Sequence, residues 1–184
     1  MTLSLFEDLS DSGAVLSSCG IYRYALTREW ADGECVAFLM FNPSTADATE
    51  DDHTIRKCIA FAKRWGYGRM VVINLFAIRS RDPKAVSRMS LESAVGPLNN
   101  FWITEAAKEA REIVCAWGCA EHAPQIDRRI KDVLALIEKD SFSSPLNCLG
   151  YRKDGHPRHP LTLGYATPRE QLFWPKRPSS TVRA

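Results

Sequence analysis

Residues 35–41 form an unbroken apolar run that stops at Asn42-Pro43-Ser44-Thr45, and a helix-like segment follows. An apolar run this short reads as a strand buried on both faces. Pro43 has no N–H to offer a sheet ladder, so the strand has to end near Asn42. A polar amide therefore stands at the carboxyl end of a buried strand, where open α/β sheets hold their ligands.

Three further short apolar runs, at 70–77, 112–117 and 146–149, follow the first. Helical patterns fill the gaps. Residues 53–65 place Ile55, Cys58, Ile59, Ala62 and Trp65 on one face, with Asp51 or Asp52 as N-cap and Gly66 as stop. Residues 98–110 begin at Asn99-Asn100 and carry Trp102, Ile103, Ala106 and Ala110. Residues 124–139 repeat Ile126, Ile130, Val133, Leu134 and Ile137 behind Pro124. The order β-α-β-α-β-α-β predicts an α/β fold: a three-layer α/β/α sandwich around a central, mostly parallel four-stranded sheet.

At 184 residues the chain suits one domain, 1–184, with a core that needs neither disulfide nor metal. Residues 1–30 form an N-terminal extension in which the alternating 21–26 segment adds an edge strand. After Gly150 periodicity fails, and residues 164–184 read as a basic, proline-containing tail. Within it, Leu172, Phe173 and Trp174 are expected to dock on the body. No apolar run reaches the roughly 18 residues of a membrane span, and no signal peptide is evident, so a cytoplasmic setting is expected.

The six cysteines form no C-x-x-C pair, and Cys35, Cys58, Cys115 and Cys148 sit in apolar surroundings as reduced thiols would. Charge is segregated: residues 1–53 carry two basic and ten acidic side chains, residues 151–184 seven basic and two acidic. That asymmetry suits one basic face for a polyanion, or ordinary solvated charge that happens to segregate.

A parallel sheet gathers the loops after its strands along one edge. Ser44 and Thr45 there can cap a helix or hold a phosphate. Asp47, Glu50, Asp51 and Asp52 offer a general base or a metal pair, or simply charge a helix N-terminus favourably. Asn74, inside the second strand, needs a partner, either structural or a ligand. His159, held between Pro157-Arg158 and Pro160, suits an anion or a leaving group, or is merely an exposed loop residue.

Together these segments resemble the uracil-DNA glycosylase-like superfamily. Asn42-Pro43-Ser44 after an apolar strand is similar to its first motif, and Val71–Pro83 to the second-strand segment of its thermophilic branches. Ile113–Gly118 resembles its third strand, and His156-Pro157-Arg158-His159-Pro160-Leu161 its closing motif. Closer still is the resemblance to a bacterial and phage family of no assigned activity. Its hallmarks are Asn-Pro-Ser-Thr-Ala-Asp, Trp-Gly-Tyr-Gly, Asn-Leu-Phe-Ala, Ala-Trp-Gly and Pro-Arg-His-Pro-Leu.

The superfamily resemblance implies a DNA glycosylase that flips out a pyrimidine and hydrolyses its N-glycosidic bond. Asn42 would position the attacking water, with Asp47 as alternative activator. Phe41 would stack near the base, Asn74 would bond its edge, and His159 would stabilise the departing base. Basic loop residues gripping phosphate, Arg79, Arg81, Arg152, Lys153 and Arg158, would offset the cost of unstacking, alongside Ser44 and Thr45. The first motif lacks the flanking glycines, and Arg158 replaces a small residue, which fits a bulkier or modified pyrimidine. The expected partner is duplex or single-stranded DNA, bound by a monomer in repair or phage defence, with no cofactor, metal or membrane. Two rivals stand beside this reading: a non-catalytic nucleobase or nucleic-acid-binding module, and an enzyme acting on free nucleotides.

Overall fold

The computed structural model describes residues 12–44, 50–82, 84–118, 125–139 and 144–175. Seven strands make one sheet in the order β1-β2-β4-β3-β5-β6-β7. They are β1 (Ser12–Leu16), β2 (Arg23–Glu29), β3 (Cys35–Met40), β4 (Arg69–Asn74), β5 (Ala110–Cys115), β6 (Leu146–Cys148) and β7 (Glu170–Gln171). The four strands expected from sequence are the central ones, and β4, β3, β5 and β6 are mutually parallel. The sheet is nevertheless wider than four strands, because β1, β2 and β7 pair antiparallel outside that centre. The alternating segment near Ile21 is not the edge. Strand β2 lies between β1 and β4 and buries Arg23–Leu26 completely, leaving β1 as the outermost strand.

The periodic segments fold as helices for the reason their spacing suggests. Helix α1 (His53–Arg64) turns Ile55, Cys58, Phe61 and Ala62 inward, and Asp52 caps it by accepting from the Ile55 N–H at 2.9 Å. Asp51, the other candidate cap, instead pairs with Arg28 at 2.8 Å. Two short helices, α2 (Lys84–Ser87) and α3 (Leu91–Val95), precede α4 (Asn99–Glu109), and α5 (Ile126–Lys139) follows β5.

The core has two parts, one on each side of the sheet. Val36, Phe38, Met40, Met70, Val72 and Val114 face α1. Ala37, Leu39, Val71, Ile73, Ile113 and Cys115 face α4 and α5. This alternation within each central strand is what burial on both faces requires. Cys35, Cys58, Cys115 and Cys148 are buried, with no disulfide among the described residues, and burial pushes the Cys35 thiol up to about 12.

The segment after Gly150 is more ordered than its sequence suggests, carrying a 3-10 turn at Pro160–Thr162 and strand β7. Leu172 and Trp174 pack on the core while Phe173 stays exposed, so the docking expected of all three holds for two. No helix among the described residues is long and apolar enough to cross a membrane.

Candidate active-site cleft

Strand order decides where the site lies. The chain leaves β3 through α1 toward β4, and leaves β5 through α5 toward β6, in opposite directions and over opposite faces. Loops that diverge this way open a crevice beyond the carboxyl ends of the two neighbouring strands. A cleft of about 550 Å³ lies there, reached by residues from the ends of β3, β4, β5 and β6.

Two amides line its floor. Asn42 follows β3, and its Nδ2 donates to the carbonyls of Pro43 and Ser80, each at 3.0 Å. With its nitrogen committed to backbone, what Asn42 offers a ligand is its oxygen. Asn74 is the last residue of β4, not an interior one. Beyond it the Leu75 and Phe76 N–H groups bond the carbonyls of Met40 and Phe41, at 2.8 and 3.0 Å. The Asn74 side chain is 1% exposed, and its Nδ2 has no hydrogen-bond partner among the described residues. Phe41 also lines the cleft but is largely a core residue, packed edge-on against Phe76 at 5.3 Å.

The opposite wall is the loop carrying His159. Gly118, at φ 71°, lies so close beneath this loop that a Cβ there would sit 2.9 Å from the His159 Cβ. His159 Nδ1 accepts the Leu161 N–H at 3.2 Å, capping the 3-10 turn. A nitrogen that accepts carries no proton, so the neutral ring is protonated on Nε2. Burial holds the His159 pKa below its ordinary value, against a weaker opposite pull from Asp52. The site thus contains a neutral imidazole with one N–H to donate.

Behind it, Trp117 Nε1 donates to His156 Nδ1 at 3.2 Å. Trp174 closes against both rings, its centroid 5.6 Å from Trp117 and 4.8 Å from His156. Burial lowers the His156 pKa as well, with Asp154 and Asp127 pulling upward.

Around the rim the expected cations separate into two groups. Arg81, Arg152 and Arg158 line the cleft with Ser44, and Arg152 also pairs with Asp154 at 3.0 Å. Arg79 and Lys153 do not line it. Arg79 donates instead to the Gly20 carbonyl at 3.1 Å, which tethers the loop before β2, and Lys153 stands in solvent. Thr45 and Asp47 lie outside the described residues. Among the described residues the carboxylate that lines the cleft is Asp52, the α1 cap. Arg23, Thr54, Ser80 and Thr162 line it too, and none was singled out from sequence. Arg23 had no signal to find it by, since a lone arginine in an alternating strand reads as solvent-facing, yet it is 3% exposed. Among the described residues, no three His, Cys, Asp or Glu side chains gather as a metal site.

No curated protein and no solved structure matches this chain. A family model does, over residues 23–161, a span that runs from the buried arginine of β2 to the turn beyond His159 and includes the cleft's two floor amides. The chain belongs to the family described as "Protein of unknown function (DUF1643)".

Proposed function

We propose that this cleft accepts a pyrimidine flipped out of DNA and hydrolyses its N-glycosidic bond. The observation that carries the reading is the Asn74 amide, buried to 1% exposure on the cleft floor with a donor that nothing described satisfies. A buried polar group left open in this way is costly unless a ligand completes it. The donor asks for an acceptor, which the keto oxygen of a uracil-type base provides. The four segments that carry the superfamily resemblance also converge on this one cleft, through Asn42, Asn74, Trp117-Gly118 and His159. In this reading the central strands belong to a uracil-DNA glycosylase-like α/β/α sandwich, widened by β1, β2 and β7.

The chemistry needs little more than positioned dipoles. A water oxygen bonds to C1′ as the C1′–N bond breaks, and the bonding electron pair leaves with the base. Asn42, through its oxygen, orients that water. The Nε2–H of neutral His159 donates to the departing base while negative charge builds on it. Asp52 places a negative charge beside the sugar as it becomes cationic. The proton released by the water ends on the freed base. Arg81, Arg152 and Arg158 grip the flanking phosphates and offset an unstacking cost of a few kcal/mol.

Strand cleavage after alkali tests this. Labelled duplex and single-stranded DNA would carry uracil, other deaminated bases, or hydroxymethylated and glucosylated pyrimidines. The expected result is alkali-labile product with the native chain and none with Asn42→Ala. No product on any substrate, with salt-sensitive DNA binding retained, would instead identify a binding module. Loss of both would point to free nucleotides.

A further inference from the structure

Beneath the cleft floor, two polar side chains from two helices meet the end of β4, and a third braces one of them. Asn99, the first residue of α4, is fully buried and donates from Nδ2 to the carbonyls of Asn74 and Leu75, at 3.0 and 3.2 Å. Arg129, on α5 and 3% exposed, donates from Nε to the same Leu75 carbonyl at 2.7 Å. Its Nη1 donates to Asn100 Oδ1, also at 2.7 Å.

This arrangement is poor value as a stabilising device. Burial drags the Arg129 pKa down to about 10, so the charge persists at neutral pH in surroundings that disfavour it. Arg129 Nη2 and Asn99 Oδ1 find no partner among the described residues. A half-satisfied buried network is less stable than an apolar core of the same volume. What the guanidinium supplies, and a hydrophobe cannot, is a fixed direction for its hydrogen bonds. That direction is applied to the carbonyl next to Asn74, the cleft-lining residue whose Nδ2 has no partner among the described residues.

We propose that Asn99 and Arg129 are positioning residues, a clamp on the end of β4 that fixes the Asn74 amide and so sets which ligand edge the cleft accepts. The inference rests on Asn74 as the ligand-reading residue. The clamp touches no ligand itself. Its effect is on discrimination, between a ring edge that offers an acceptor to Nδ2 and one that offers a donor.

The test uses the full chain with Arg129→Met, which keeps length and loses every donor, and Arg129→Lys as the conservative rescue. Asn100→Ala, at an exposed position, removes one anchor of Arg129 and serves should Arg129→Met fail to fold. Two readouts apply. One is the side-chain amide signal of Asn74 in ¹⁵N-edited NMR of the free protein, assigned with Asn74→Asp. The other is the ratio of binding constants for oligonucleotides carrying uracil or cytosine at one position. We expect the Asn74 signal to shift or broaden and the ratio to fall about tenfold in Arg129→Met, with partial recovery in Arg129→Lys. Asn100→Ala should give a smaller change in the same direction. A lowered melting temperature with an unmoved Asn74 signal and an unchanged ratio would overturn the clamp. If the native chain fails to distinguish the two oligonucleotides, the base-reading assignment falls. The NMR signal then still decides whether the clamp holds Asn74.

Discussion

The floor and the wall of the cleft are held in place by different forces. The floor is Asn42 and Asn74 at the ends of neighbouring parallel strands, fixed by ladder bonds and by side chains donating to backbone carbonyls. None of those groups changes charge near neutral pH. The wall is a loop with two histidines, kept in place by an imidazole cap, a Trp117–His156 bond and the Trp174 ring, edge-on to Trp117 and tilted against His156. Both histidines have pKa values lowered by burial. The cleft therefore joins a pH-indifferent floor to a wall whose order depends on keeping imidazoles neutral. In the glycosylase proposed above, the first would fix geometry and the second the polarity of the hydrogen bond offered to the leaving base.

Variants of the floor should alter chemistry most. Asn42→Ala is expected to lower turnover by about 10³ while DNA affinity stays near native, as comparison of single-turnover rates with equilibrium binding would show. Its thermal midpoint should fall modestly, since the two 3.0 Å bonds to Pro43 and Ser80 carbonyls go too. Asp52→Asn sharpens the comparison by removing charge alone. Asparagine caps a helix as well as aspartate does, so the melting temperature should hold while turnover drops by roughly 10². Equal losses of stability and rate would reduce Asp52 to a cap.

Variants of the wall should show in stability first. Trp174→Ala removes the ring that covers Trp117 and His156, and a loss of about 2–4 kcal/mol is expected in chemical denaturation. The wall should also account for the acid sensitivity of the fold. An unfolded imidazole takes up its proton near 6.5, whereas folded His156 and His159 do so only at lower pH. The unfolded state thus binds more protons over that interval. Stability should be full above about pH 6.5 and fall as pH drops through the folded values. Denaturation midpoints measured from pH 8 to 5 check this, and His159→Asn should flatten the slope. The smallest effect belongs to the rim: Arg158→Ala should weaken DNA binding a few-fold, uniformly across sequences, and lessen the salt slope by about 1.

Much of the fold is legible because the elements obey simple periodicities. The four apolar runs match β3, β4, β5 and β6 within a few residues, and the three helical repeats match α1, α4 and α5. Each of these segments buries a face or both faces, and burial writes itself into sequence. Strand β7 is illegible by the same token, since Glu170 and Gln171 are exposed and are recruited by pairing with the backbone of β6. The site was half legible. Asn42, Asn74 and His159 stand out as polar residues at strand ends or between prolines, where local chemistry demands an explanation. Asp52 was legible as a cap and as one of four acidic candidates for a general base, but that it lines the cleft depends on where α1 begins relative to the His159 loop.

By itself, then, the sequence determined the alternation of strands and helices, the capped start of α1 and the gathering of polar loops at one sheet edge. Those features follow from local periodicity, capping and the right-handed crossover of parallel strands. Only the tertiary structure decided that Arg23 and Arg129 are buried, that Arg79 serves Gly20, and that Asn99 holds the end of β4. Each of these depends on which distant backbone group comes within hydrogen-bond reach. A chain's own spacing does not encode that distance until the sheet is assembled and its strand order fixed.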